Sequence, residues 1–69
     1  MQQPAFTLVD EPEACRILGN IHRATLHRGI AARRFPKPLK IGPGSNRWRD
    51  DELYAVLARA DAARSPEAA

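Results

Sequence analysis

A small α+β, mainly α domain, built as helix, turn, helix, two-stranded hairpin and helix, is predicted by three features of the 69-residue chain. Apolar side chains recur at helical spacing in three stretches. A run rich in Pro and Gly, PKPLKIGPGSNRW, separates the second stretch from the third. The length also permits only one modest core, because a chain this short buries about 60% of the surface its unfolded form exposes. The expected layout is a flexible N-terminus over 1–6, one folded domain over 7–62 and a flexible tail over 63–69.

FTLVD alternates Phe6 and Leu8 and reads as a short extended lead-in. Asp10 then caps helix 1, because its carboxylate can accept a first-turn N–H, and Glu13 three residues on has the spacing of a capping box. Pro12 is tolerated in the first turn, where its missing N–H would have no intrahelical partner. Ala14, Cys15, Ile17 and Leu18 form the apolar stripe, and Gly19 ends the helix in a left-handed conformation. Helix 2 lies within IHRATLHRGIAARR, with Leu26 and Ile30 one turn apart on one side and Arg23 and His27 on another. Asn20 and His22 both qualify as its start, and Asn20 is chemically the better cap. Gly29 inside this helix costs about 1 kcal/mol relative to Ala, so either the helix frays there or the glycine admits a close contact. Pro36 stops the helix and Phe35 anchors its end.

PLKI, GPGS and NRWR then read as two short strands around a reversal, with Gly and Pro supplying the turn conformations. In that reading Leu39, Ile41 and Trp48 face the core, while Lys40, Arg47 and Arg49 face outward. The closing stretch DDELYAVLARADAAR places acids in a helical first turn, favoured by the helix dipole, and aligns Leu53, Val56, Leu57 and Ala60. Helix 3 is expected to pack on the other two.

Composition narrows the function classes. Apolar and charged fractions of 43% and 28% are globular values, which argues against wholesale disorder. Cys15 is the one cysteine, so no internal disulfide framework exists, and no apolar run approaches the ~20 residues of a membrane span. A cytoplasmic protein is expected. The net charge is only +3, but Ala14 to Arg49 holds nine Lys or Arg and no acid, and all eight acids lie outside that stretch. Such segregation sustains a positive potential suited to a polyanion, above all nucleic acid.

Two helices joined by a tight turn and followed by a basic hairpin describe a winged helix-turn-helix, in which helix 2 enters the major groove and the wing grips the backbone or adjacent minor groove. The run TLHRGIAARRFPKPLKIGPGSNRWRDDELYAVLA resembles the AlpA-like regulators and excisionases of prophages and mobile elements, a MerR-like winged-helix group. Phe35, Pro36, Pro38, Lys40, Ile41, Gly42, Trp48, Asp51, Glu52 and Leu53 carry the resemblance, which spans about residues 7–60. The chain departs from the pattern in one extra residue near Asn20, in His22 at the usual serine cap, and in Arg33 where the family often has glycine. The resemblance implies sequence-specific binding of double-stranded DNA in one of two roles. One is an excisionase, a recombination directionality factor that bends attachment-site DNA to direct integrase-mediated excision. The other is transcription regulation. It further implies an integrase or RNA polymerase as partner and head-to-tail self-association on DNA.

On the recognition helix the candidate contacts are Arg23, Thr25, His27 and Arg28. Arg23, early in the helix, can offer two donors to guanine O6 and N7 or clamp a phosphate; Thr25 suits a phosphate or a thymine methyl, and Arg28 suits phosphate. In the wing the candidates are Lys37, Lys40, Ser45, Asn46 and Arg47, with Asn46 or Arg47 at the loop tip entering a minor groove and the lysines neutralising phosphates. No cofactor is expected. Cys15, His22 and His27 do not make a metal site, because the two histidines are five apart, roughly 140° around a helix, with no fourth ligand near. No enzyme is expected either, since no nucleophile sits beside an evident base and the basic middle lacks metal-binding carboxylates. Two rivals to DNA binding are a protein adaptor that presents FPKP as a polyproline ligand, and RNA binding, for which aromatic platforms are scarce.

Overall fold

Asp10 sets where the first helix begins. In the computed structural model, which describes residues 5–64, its Oδ1 accepts the Glu13 N–H at 3.1 Å and Pro12 occupies the first turn. The elements run β1 (Leu8–Val9), α1 (Glu11–Ile17), α2 (Arg23–Ala31), β2 (Leu39–Gly42), β3 (Ser45–Arg49) and α3 (Asp50–Ala63). The expected capping box does not close. Arg16, one turn along, takes both Glu13 oxygens instead, with Nε donating at 2.8 Å, and this guanidinium holds the Glu13 carboxyl below the usual carboxylate range.

The connection from α1 to α2 turns on two successive left-handed residues, Gly19 at φ 99° and Asn20 at φ 61°. Asn20 is therefore not the cap of α2, contrary to the sequence expectation: asparagine also tolerates the left-handed region better than most residues, and the turn uses that property. His22 is the cap, its Nδ1 accepting the Ala24 N–H at 3.1 Å.

Gly29 marks a close contact and no fraying. A Cβ at this position would stand 2.2 Å from one Phe35 ring carbon and 2.4 Å from another. The same residue's carbonyl accepts the N–H groups of Arg34 (2.8 Å) and Phe35 (3.2 Å), while Arg33 donates to Ile30 at 3.0 Å. Arg33 is left-handed, φ 62°, which completes a Schellman ending. The helix thus stops at Ala31 through Arg33, and Pro36 follows a reversal already made; this corrects the role expected of Pro36. Gly29→Ala is expected to destabilise the domain, because about 1–3 kcal/mol of overpacking outweighs about 1 kcal/mol of helix propensity. In a Phe35→Ala background the same change should turn neutral or stabilising. Urea denaturation of the four proteins checks this, and an equal effect in both backgrounds would contradict the contact.

The hairpin reverses at Pro43–Gly44, with Gly44 at φ 70°, the pairing of residues that a type II turn requires. Leu39 pairs Arg47, Lys40 pairs Asn46 and Gly42 pairs Ser45, so Ile41 is the extra residue of a bulge. β1 adds to the other edge of β3, with Leu8 opposite Arg49 and Val9 opposite Trp48, giving a three-stranded antiparallel sheet in the order β1-β3-β2. Thr7 and Asp50 tie this strand to the start of α3 by N–H bonds of 2.8 and 2.9 Å. The register corrects two expectations. Leu39 shares the face of its partner Arg47, away from Trp48, and is 45% exposed; bulged Ile41 is 56% exposed, and only Trp48, at 2%, is buried. Ser45, Asn46 and Arg47 also belong to strand β3, one to three residues past the tip.

The core comprises Ala14, Cys15, Ile17, Leu18, Leu26, Trp48 and Leu53, flanked by Val9, Ile21, Ile30, Phe35 and Val56. Burial pushes the Cys15 thiol pKa up. α3 lies on α1 and β3 and has little contact with α2, so it does not pack on both other helices. Its stripe is used only at the start: Leu53 and Val56 pack, whereas Leu57 and Ala60 are exposed. The architecture is α+β and mainly helical, with the element order of a small winged helix-turn-helix. Of the ends expected to be flexible, 1–4 and 65–69 lie outside the described residues; Phe6 stacks under the Arg49 guanidinium at 3.9 Å, and Ala63 closes α3. Among the described residues no helix is long and apolar enough to cross a membrane.

Candidate nucleic-acid interface

Burying Leu26 and Gly29 against the rest of the domain turns the opposite side of α2 to solvent, and Arg23, His27 and Arg28 are exposed there. Thr25 is half-buried, with its N–H on the His22 carbonyl at 2.9 Å. Lys37 is exposed but lies in the α2–β2 connection, two residues before β2, and not in the wing where the sequence reading placed it. In the wing, Lys40 and Asn46 are exposed, while Ser45 and Arg47 are half-buried. Arg47 bends back so that Nη1 donates to the Asn46 carbonyl at 2.8 Å. Lys40 and Asn46, paired across the hairpin, lie on the face that carries Trp48 further along β3.

The N-terminus of α1 stands between these two groups. Glu11 and Pro12 border one shallow cleft with His22 and Arg23, and a second with Gly44, Asn46, Arg47 and Trp48. The start of α2 and the wing therefore flank one helix end. Thr25, Arg28, Lys37 and Lys40 border neither cleft.

Charge pairing divides the cations sharply. Among the described residues the ion pairs are Arg16–Glu13, His27–Glu11, Arg49–Asp51 and Arg64–Asp61. Arg49 is held twice, by Phe6 beneath it and by Asp51 at 2.7 and 3.1 Å; that contact lowers the Asp51 carboxyl pKa and raises the Arg49 pKa. Among the described residues Arg23, Arg28, Lys37, Lys40 and Arg47 have no such partner, and neither do Arg33, Arg34 and Arg59. His27 differs from the other α2 candidates, since its Nε2 lies 2.6 Å from Glu11 Oε2. Sequence spacing gave no signal for this pair, which joins residues 16 apart on different helices. Arg33 and Arg34, both exposed, are not among the contact residues expected from sequence, although their charge and the absence of acids between Ala14 and Arg49 mark them.

Among the described residues no three His, Cys, Asp or Glu side chains form a group able to hold a metal ion. Arranged this way, the surface can attract a polyanion along two protruding elements at once, a helix face and a hairpin edge. No family model, curated protein or solved structure matches the chain.

Proposed function

We propose that this protein binds double-stranded DNA sequence-specifically as a winged helix-turn-helix, with α2 in the major groove and the β2–β3 hairpin on the backbone or adjacent minor groove. The observation that carries this reading is a set of cations without an acidic partner among the described residues, Arg23 and Arg28 on α2, Lys37 in the α2–β2 connection and Lys40 and Arg47 in the wing, beside other basic residues that are tied to acids. Arg23 reads a base edge, Arg28 and the lysines take phosphates, and Thr25 and Ser45 contribute hydroxyls to the backbone. Asn46 is the better groove reader of the two wing-strand candidates, because its side chain is exposed while Arg47 is half-buried and bonded to a carbonyl. His27 acts with Glu11 as a positioned pair.

The biological role that fits best is an excisionase that bends attachment-site DNA and directs an integrase, in the bacterial nucleoid, with several copies joining head to tail on neighbouring sites. A single small module offers too little contact for high specificity alone. The FPKPLKIG wing supports an AlpA-like transcription regulator working with RNA polymerase as the second reading. An adaptor role is disfavoured because Phe35 packs on Gly29, which removes one end of the FPKP segment from presentation. A salt titration tests the DNA reading. Affinity for duplex DNA is expected to fall as salt rises, with a log–log slope near −0.9 for each phosphate neutralised, and duplex affinity undetectable at low salt would end it.

A further inference from the structure

Beyond α2 and the wing, a third charged feature lies where the chain leaves α2. Arg33 and Arg34 from the α2–β2 connection and Arg59 from α3 surround a cleft of about 260 Å³, floored by Phe35 and Ala55, with Glu52 as its one acid. None of the three guanidinium groups has an ion-pair partner among the described residues. The volume is below the ~300–1,000 Å³ of small-molecule pockets, and the three cations around it suit an anionic chain passing over it.

We propose that this cleft is a second phosphate-backbone site, which holds duplex DNA flanking the segment gripped by α2 and the wing. The proposal rests on the DNA-binding reading above. It stands on three observations. Three cations against one carboxylate leave the cleft net positive. Arg33 and Arg34 follow Arg28 of α2 in the chain, just beyond the last helical residue Ala31; the far end of a helix lying in the major groove points toward the flanking backbone. Finally, Arg33 holds a left-handed conformation at φ 62°, where glycine carries no steric penalty. The fold's own needs at this turn are met by glycine, so the arginine side chain is what the position adds. DNA lying along both sites has a longer footprint than α2 and the wing alone provide.

The test compares two duplexes, one of ~12 bp that covers only the α2 and wing footprint and one of ~24 bp that extends beyond it, roughly one and two helical turns. For the wild-type chain the salt slope on the long duplex should exceed that on the short one by about 2.7, from about 0.9 for each of the three added phosphate contacts. Arg34→Ala/Arg59→Ala should cut the difference to about 0.9, the share of the remaining Arg33, and leave short-duplex binding unchanged. Arg33→Gly should melt no lower than wild type yet lose slope on the long duplex, a combination that a purely structural arginine does not produce. Equal wild-type slopes on both duplexes, or a double variant that behaves as wild type on the long one, would overturn the proposal while leaving the α2 and wing reading intact. Loss of polyglutamate binding by the double variant, with DNA binding unaltered, would overturn it in favour of an acidic protein partner. Absence of binding to either duplex would remove the DNA reading itself, and this proposal with it.

Discussion

Trp48→Ala is expected to cost about 3–5 kcal/mol, the range for deleting a buried large aromatic, and to leave the domain at or beyond the edge of unfolding. Trp48 is the largest fully buried side chain. It sits on the central strand of the sheet, opposite Val9, within the cluster that also holds Ala14, Leu26 and Leu53. A domain of about 60 residues has only about 3–9 kcal/mol to lose, at roughly 0.05–0.15 kcal/mol per residue. The buried Nε1–H has no acceptor among the described residues, so Trp48→Phe sacrifices packing area but no internal hydrogen bond and should cost less than half as much. Denaturant unfolding of the two variants measures this. A Trp48→Ala protein within about 1 kcal/mol of wild type would mean that the sheet is not held to the helices by this residue. The consequence reaches the interface, since Asn46 and Arg47 immediately precede Trp48 and take their position from it.

Arg23→Ala is expected to weaken binding to the preferred DNA site by about 5- to 150-fold, the equivalent of the ~1–3 kcal/mol of a bidentate guanine contact. Its effect on folding should be within about 0.5 kcal/mol, as for other surface substitutions, because the side chain is exposed and unpaired, and the α2 cap belongs to His22. The two effects are therefore separable by melting and binding measured on the same sample. On random duplex the loss should be smaller, that of one cation alone. An equal loss on both DNAs would reassign Arg23 from base reading to phosphate binding.

Local chemistry made much of this architecture legible. Asp10 announces α1 by a bond three residues long, and Gly19, Leu26, Pro43 and Gly44 stand where short-range rules place them. Expectation and structure part where one residue serves two rules or where a partner lies far along the chain. Asn20 has the side chain of a cap and the backbone tolerance of a turn, and the turn prevailed. Glu13 had the spacing of a capping box, but Arg16 competed for both its oxygens. Strict alternation put Leu39 and Ile41 in the core; the bulge at Ile41 and the pairing of Leu39 with Arg47 placed both outside. Helical periodicity extends along α3 to Ala60, yet only the first turns meet another element, because periodicity reports a face and says nothing of how long its partner is. At the candidate interface the exposed cations of α2 and the wing were readable from sequence. The Glu11–His27 pair and the position of the α1 N-terminus between helix and wing were not, since both depend on tertiary packing.

The central claim is that α2 and the wing form one DNA-binding face. Amide NMR shifts of the isotope-labelled chain, followed as duplex DNA is added at low salt, test it residue by residue. The largest changes should fall on Arg23–Arg28 and on Lys40–Arg47, while Tyr54, Leu57 and Asp61 on α3 stay near their starting positions. Large changes confined to the α3 face, with α2 and the wing unmoved by DNA, would contradict it.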